Sequence, residues 1–236
     1  MSTRAIVTPI VSGMPNTLKQ IRKREGARTA APRGRPVVRC ERESRETLVA
    51  IGRDLFVRQG WSHTTMDMIA ARARMSKQTL YRLFPSKMAL FEAVVEAHRR
   101  TMLALPRDDD LPVEQALAAI FRADLDTDEE HERSALLAMV FAESAVHPEL
   151  GRTVHTHGYE RSLADLTEWL ERQIDRGRLP PTVDPRLDAR ILMNMAFGMP
   201  PPRESAAGFG RDAHRTHIER CVSIFLHGLR PVAGAT

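Results

Sequence analysis

Along most of this chain the apolar residues recur three or four apart, and no segment shows the strict alternation of a half-buried strand. The clearest stretch runs from Thr64 to Lys87, TTMDMIAARARMSKQTLYRLFPSK. Met66, Ile69, Ala70 and Ala73 make one apolar helical face. Thr64, with Asp67 three residues on, gives a start that resembles a capping box. Ser76 opens a second short helix that Pro85 closes, because proline disfavours helical geometry in the residue before it. Leu80 and Phe84 then face inward and leave Lys77, Gln78, Tyr81 and Arg82 on the other faces. Two short helices meeting at a tight turn predict a helix-turn-helix, and a second helix with that exposed set suits a major groove.

The flanking patterns extend the reading. Leu48, Ile51, Leu55 and Phe56 predict a bracing helix over 44–59 that Gly60 terminates. Gly52 lies inside it, where an intrinsic cost of about 1 kcal/mol suggests close packing against the second helix. Ser86 caps a helix reaching residue 103, with Leu90, Phe91, Val94 and Val95 as its stripe. After a loop over 106–112, helical patterns cover 113–125, 128–146, 150–176, 184–199 and 211–227. Gly177 and the run Pro200-Pro201-Pro202 mark two of the ends. The fold class is therefore all-α. It comprises a basic, disordered arm over 1–43, a three-helix helix-turn-helix DNA-binding head over 44–91, and a further helical domain over 92–236, to which the family resemblance given below assigns effector binding and dimerisation.

Charge sharpens the picture at the amino end. The net charge is +5, but residues 1–40 hold nine Lys/Arg and one acid, hence +8, which leaves −3 for the remainder. Such an arm fits a polyanion, either nucleic acid or an anionic surface. Within it Pro32-Arg33-Gly34-Arg35-Pro36 resembles an AT-hook core, in which glycine lets the backbone sit deep in a narrow A·T minor groove while Arg33 and Arg35 follow its negative potential. The alternative is a solvated basic linker. Met14 is a second candidate start.

Cys40 and Cys221 lie far apart with no CxxC partner, which argues against a disulfide scaffold or a structural zinc site and fits the cytoplasm. No apolar run reaches the ~18 residues of a membrane span, so no membrane partner is expected. His155 and His157 diverge on a helix, whereas His214 and His217 could converge but have no third ligand nearby. No metal and no cofactor is expected, and with no GxSxG, HExxH or glycine-rich phosphate loop neither is an enzyme.

At the helix-turn-helix, TT-x-x-x-IA-x-x-A-x-x-S-x-x-TLY-x-x-F-x-SK-x-x-LF resembles the DNA-binding domain of the TetR family of bacterial transcriptional regulators, over roughly residues 45–91. Two positions depart from that pattern: Arg74 where a turn glycine is usual, and Leu83 where a phosphate-touching histidine is common. AESAVHPEL (142–150) and DRGRLPPTVDPRLDA (175–189) are similar to the AcrR/AefR-like branch. The resemblance implies that Thr65, Thr79, Tyr81 and Lys87 hold phosphates, with Lys77, Gln78 and Arg82 left for base edges. It also implies a homodimeric repressor released from double-stranded operator DNA by a small hydrophobic or amphipathic effector. The alternative is an architectural A·T-rich DNA-binding protein whose helical domain only dimerises. Met139, Phe141, Trp169 and Met195 are candidates to line the effector pocket, with Glu143 as polar anchor, since a carboxylate in an apolar helix must be exposed, paired or facing a cavity. Leu192, Ile218, Val222 and Phe225 are candidates for a four-helix dimer interface.

Overall fold

The computed structural model describes residues 37–105, 111–125, 127–198 and 211–228, and every regular element among them is helical. The first helix, α1 (Val37–Gln59), starts earlier than its apolar pattern suggests: residues 37–43, assigned to the arm by composition, are its opening turns. Gly60 ends it at φ +84, donating its N–H to the Phe56 carbonyl at 3.0 Å. The helix-turn-helix follows as α2 (Met66–Ala73) and α3 (Lys77–Leu83), and α4 (Lys87–Met102) leads away from it.

Leu48, Ile69, Leu80, Phe84 and Leu90 form the buried centre of the head. Gly52 is explained by close approach to α4 rather than to α3, for a Cβ there would stand 3.0 Å from Leu90 Cδ2. Arg45 staples α1 to the end of α3. Its Nη1 donates to the Leu83 carbonyl at 2.7 Å, and its guanidinium lies 4.4 Å from the centre of the Phe84 ring.

Beyond the head run α5 (Val113–Ile120), α6 (Thr127–Glu143), α7 (Pro148–Thr153), a π-helical segment (Val154–Tyr159), α8 (Glu160–Asp175), α9 (Pro185–Phe197) and α10 (Arg211–Gly228). Helices α7 and α8 with the π segment make one continuous rod, which packs along α4. Arg161 adds an ion pair to Glu96 at 2.9 Å, and Arg99 links Glu96 to Asp165. Asp184 caps α9 by accepting from Leu187 N at 3.0 Å, and Pro185 at the first helical position is already set for the helix.

Two further apolar clusters complete the interior. Phe56, Trp61 and Phe91, with ring centres 5.3–5.7 Å apart, join Leu136, Met139 and Leu150 where α1 and α4 meet α6 and α7. The other centres on Trp169, Phe121, Leu166 and Leu170.

This packing corrects two expectations. Leu192, Ile218, Val222 and Phe225, proposed for the dimer interface, are at most 5 % exposed and belong to the carboxyl core of their own chain. Their stripes are consumed by α5 and α8, because periodicity marks the face that is buried without saying what buries it. The five pocket candidates do not line one cavity either. Met139 lies in the junction with the head, Phe141 is 68 % exposed, and Glu143 is the last residue of α6, pointing to the head. Only Trp169 and Met195 share a cluster. An open cleft of about 580 Å³ is floored by Ala104, Ala118, Ala119 and Ala123 and edged by Arg122 and Arg215, and it uses none of the five.

The candidate histidine pair also resolves. His214 Nε2 lies 3.0 Å from the Arg122 carbonyl oxygen, and His217 Nε2 lies 2.9 Å from that of Met195, so each ring ties α10 to a different neighbour.

His98, on α4, is 5 % exposed and its Nε2 meets no hydrogen-bond partner among the described residues. Burial, reinforced by the charges of Arg53 and Arg133, pushes its pKa down to about 4. Folded His98 therefore stays neutral where an unfolded histidine takes up a proton. The stability present above the ordinary histidine pKa is lost as pH falls toward 4, by about 3 kcal/mol in all. In urea titrations from pH 7 to pH 4, the gap between the native protein and His98→Gln should narrow by most of that amount. Parallel pH profiles would show that His98 does not contribute.

Candidate nucleic-acid interface

The reading head is built on caps. Of the two adjacent threonines it is Thr65, not Thr64, that caps α2, its hydroxyl oxygen accepting from Met68 N at 3.2 Å. Thr64 is fully buried and donates to the Gly60 carbonyl at 2.8 Å, so it belongs to the turn before the helix. Asp67 consequently does not close a capping box. It reaches across to Lys77 on α3, with Nζ 2.7 Å from its carboxylate. At the end of α2, Arg74 takes the left-handed conformation at φ 54, while Met75 N donates to the Ala70 carbonyl and Arg74 N to that of Ala71. This is the helix-ending double bond usually built on glycine. A side chain there costs about 1 kcal/mol.

Ser76 caps α3 by accepting from Thr79 N at 3.1 Å, and its Oγ lies 2.8 Å from the Thr79 hydroxyl. Leu80 and Leu83 anchor the inner face of α3, so Leu83 serves as core. Lys77, Gln78, Tyr81 and Arg82 are exposed together on the outside, as the pattern predicts. Lys77 is paired with Asp67, and Arg82 lies 3.4 Å from Glu41 of α1. Exposed pairs of this kind are worth about 0–1 kcal/mol, so both cations can be released cheaply to an anion. Arg33 and Arg35 lie outside the described residues.

Lys87 departs from its expected place at the surface. Its Nζ donates inward to the carbonyls of Trp61 at 2.8 Å and Thr64 at 2.9 Å, and lies 4.2 Å from the centre of the Trp61 ring. Burial lowers the Lys87 pKa, against a smaller opposite pull from the Glu143 carboxylate. The ammonium first holds the turn between α1 and α2.

Glu143 holds the same turn from the other side. Its Oε1 accepts from Trp61 N at 2.6 Å, and its Oε2 accepts from Ser62 N at 3.0 Å and from the Ser62 hydroxyl at 2.6 Å. His147 Nε2 lies 3.1 Å from that hydroxyl oxygen. Partial burial opposes ionisation of Glu143, but the bonds from Ser62 and Trp61 outweigh it and keep the carboxyl below its ordinary range. Glycine at residue 60 leaves room for this grip: a Cβ there would come within 2.3 Å of Glu143 Oε1, so the carboxylate would have to shift. Trp61, Ser62 and His147 are not among the site residues that the sequence points to. The one available signal was a tryptophan directly after the helix-ending glycine, a position that often packs back on the helix.

With this geometry in place, the relatives agree. Residues 48–94 match the family described as bacterial regulatory proteins, tetR family, and residues 115–228 match the AefR-like transcriptional repressor, C-terminal domain. The chain belongs to the TetR family of transcriptional regulators. It is 24 % identical over 157 residues to the HTH-type transcriptional regulator SrpR of Pseudomonas putida, covering 66 % of this chain and 73 % of that protein. Among solved structures, a TetR-family regulator from Mesorhizobium loti superposes with a TM-score of 0.58 at 25 % identity, covering 80 % of this chain and 97 % of the other. The flavonoid-responsive regulator FrrA superposes at 0.55 with 26 % identity, covering 81 % and 99 %. The matched domains are those of DNA-binding regulators. No helix among the described residues is long and apolar enough to cross a membrane.

The exposed face of α3 yields a separable pair of outcomes. Tyr81→Ala should weaken binding to all DNA sequences alike with the salt slope little changed, because a neutral phenol on a phosphate positions the head without releasing a counterion. Gln78→Ala should instead cost about 1–3 kcal/mol of discrimination at a single base pair, with the salt slope unchanged. Anisotropy titrations over a salt series and an operator-variant panel measure both. Identical behaviour of the two variants would refute this division of labour.

Proposed function

We propose that this TetR-family regulator is a homodimeric, cytoplasmic repressor that leaves its operator when its carboxyl domain binds a small, largely apolar molecule carrying a hydrogen-bond acceptor. The observation that carries the reading is Trp169. It is 1 % exposed at the centre of the carboxyl core, and its indole N–H has no hydrogen-bond partner among the described residues. A buried donor left unmatched costs about 1–3 kcal/mol, and a ligand acceptor would recover that amount. Phe121, Phe197 and Met195 pack in the same cluster, a setting suited to a flat or aromatic molecule. That a structural neighbour is flavonoid-responsive supports this class of ligand, and the AefR-like repressor match supports the sign of regulation.

Trp61 and Trp169 are the two tryptophans, so in a Trp61→Phe background fluorescence reports on Trp169 alone. Aromatic compounds with carbonyl or phenol groups should quench Trp169 and lower operator affinity, and Trp169→Phe should weaken their binding about tenfold. A compound that binds at Trp169 yet leaves operator affinity unchanged is no effector, and if none of a broad panel binds there the architectural reading gains.

For the dimer, the outer faces of α9 and α10 replace the residues first proposed. Leu187 and Ile191 lie one turn apart on α9, and with Ile224 on α10 they are 40–50 % exposed. The two helices are tied together through His217 and the Met195 carbonyl. Apolar residues exposed on paired helices suit a two-fold four-helix contact. The double variant Ile191→Asp with Ile224→Asp should sediment as a folded monomer, whereas Phe225→Asp should lose thermal stability because that ring is core. A dimer that survives the double variant would move the interface elsewhere.

A further inference from the structure

We infer that Glu143 is a positioning residue for operator recognition: from the end of α6 its carboxylate grips the turn between α1 and α2 and so sets the pose of the reading helix. Glu143 and Ser62 are 81 residues apart in sequence, yet one carboxylate satisfies two successive backbone N–H groups and a hydroxyl. Lys87 binds two carbonyls of the same turn, those of Trp61 and Thr64. The turn is thus held by its donors from α6 and by its acceptors from α4, and α2 begins at the next residue. Because Thr65 caps α2, and Ile69 of α2 is buried in one cluster with Leu80 and Leu83 of α3, a displacement of the turn is carried to α3 and its exposed face.

Three details argue for a built joint over a chance surface contact. Gly60 leaves the space that the carboxylate occupies, and its φ of +84 suits glycine. An acid at the last residue of a helix is disfavoured by the helix dipole, so its place there needs compensation, which the turn's donors supply. The Trp61 ring beside the grip is buried against Phe56 and Phe91, which couples the turn to α1 and α4 as well. The carboxylate reaches the head from the helical domain, and any rearrangement that shifts the end of α6 pulls on this turn. That last step rests on the effector-responsive reading given above, while the positioning role does not.

The test compares the full-length native protein with Glu143→Gln and Ser62→Ala. Glutamine keeps the shape, but it leaves one oxygen in place of two and turns an amide donor toward a backbone N–H. Affinity for operator should fall about tenfold or more in Glu143→Gln and about threefold in Ser62→Ala, with the salt slope and the affinity for random-sequence DNA unchanged. Amide exchange at Trp61 and Ser62 should speed up while that of Phe91 and Val94 stays slow. A merely structural role, or a direct phosphate contact by Ser62, would lower specific and random binding together; that result overturns the assignment, as does operator affinity within twofold of native in both variants. If Glu143→Gln does not fold, Ser62→Ala decides alone, since Ser62 is exposed. Any compound that releases the native protein from operator should release Glu143→Gln several-fold less completely. Equal release would break the link to α6, and the absence of any releasing compound would count against the effector reading only.

Discussion

Two oppositely charged side chains close on one short turn, and the orientation of the DNA-binding helices depends on that closure. Backbone N–H and C=O groups in a turn of this kind usually face water and leave it free to flex. Here the carboxylate of Glu143 takes the donors and the ammonium of Lys87 takes acceptors, so the turn acquires the definition of an element without being one. Partly shielded charged groups make shorter and stronger hydrogen bonds than neutral ones, which is why two side chains suffice. The aromatic cluster of Phe56, Trp61 and Phe91 supplies the apolar floor beneath them.

How much of this was legible in the sequence depended on how local the cause was. Caps and stops are written within a few residues, so Ser76, Ser86, Gly60, Gly177 and Asp184 mark helix ends where the structure has them. The Thr64-Thr65 pair shows the limit of that logic: two equivalent hydroxyls stand at one helix start, and only packing decides which is buried. The exposed face of α3 was readable because Leu80 fixes the inner side of a very short helix. Phe225 and Ile218 were misassigned because an apolar stripe does not reveal whether its cover is the same chain or a second copy. Glu143 was recognisable as a residue in need of an explanation, but its partners lie some eighty positions away. Lys87 was read from its position in the family, while the structure first uses its long side chain inside the head.

Among the described residues the interior divides into three clusters, and the two at the amino end share helices. Helix α1 contributes Leu48 and Leu55 to the head and Phe56 to the junction, and α4 contributes Leu90 to the head and Phe91 to the junction. Adjacent residues on one helix therefore belong to different cores. The head cannot tilt as a rigid unit without repacking Phe56 against Phe91, which favours a small number of discrete poses over a continuum.

The ion pairs on the reading face have a further consequence for how such a protein searches DNA. Lys77 carries Asp67 and Arg82 carries Glu41, so the head travels with two of its cations already neutralised by its own acids. Were Lys77 and Arg82 to leave these pairs for base edges, Asp67 and Glu41 would be left as unpaired acids beside the DNA. A near-match able to engage one cation would open one pair only and leave the other cation held by its own acid, so each pair would set a separate threshold for engagement.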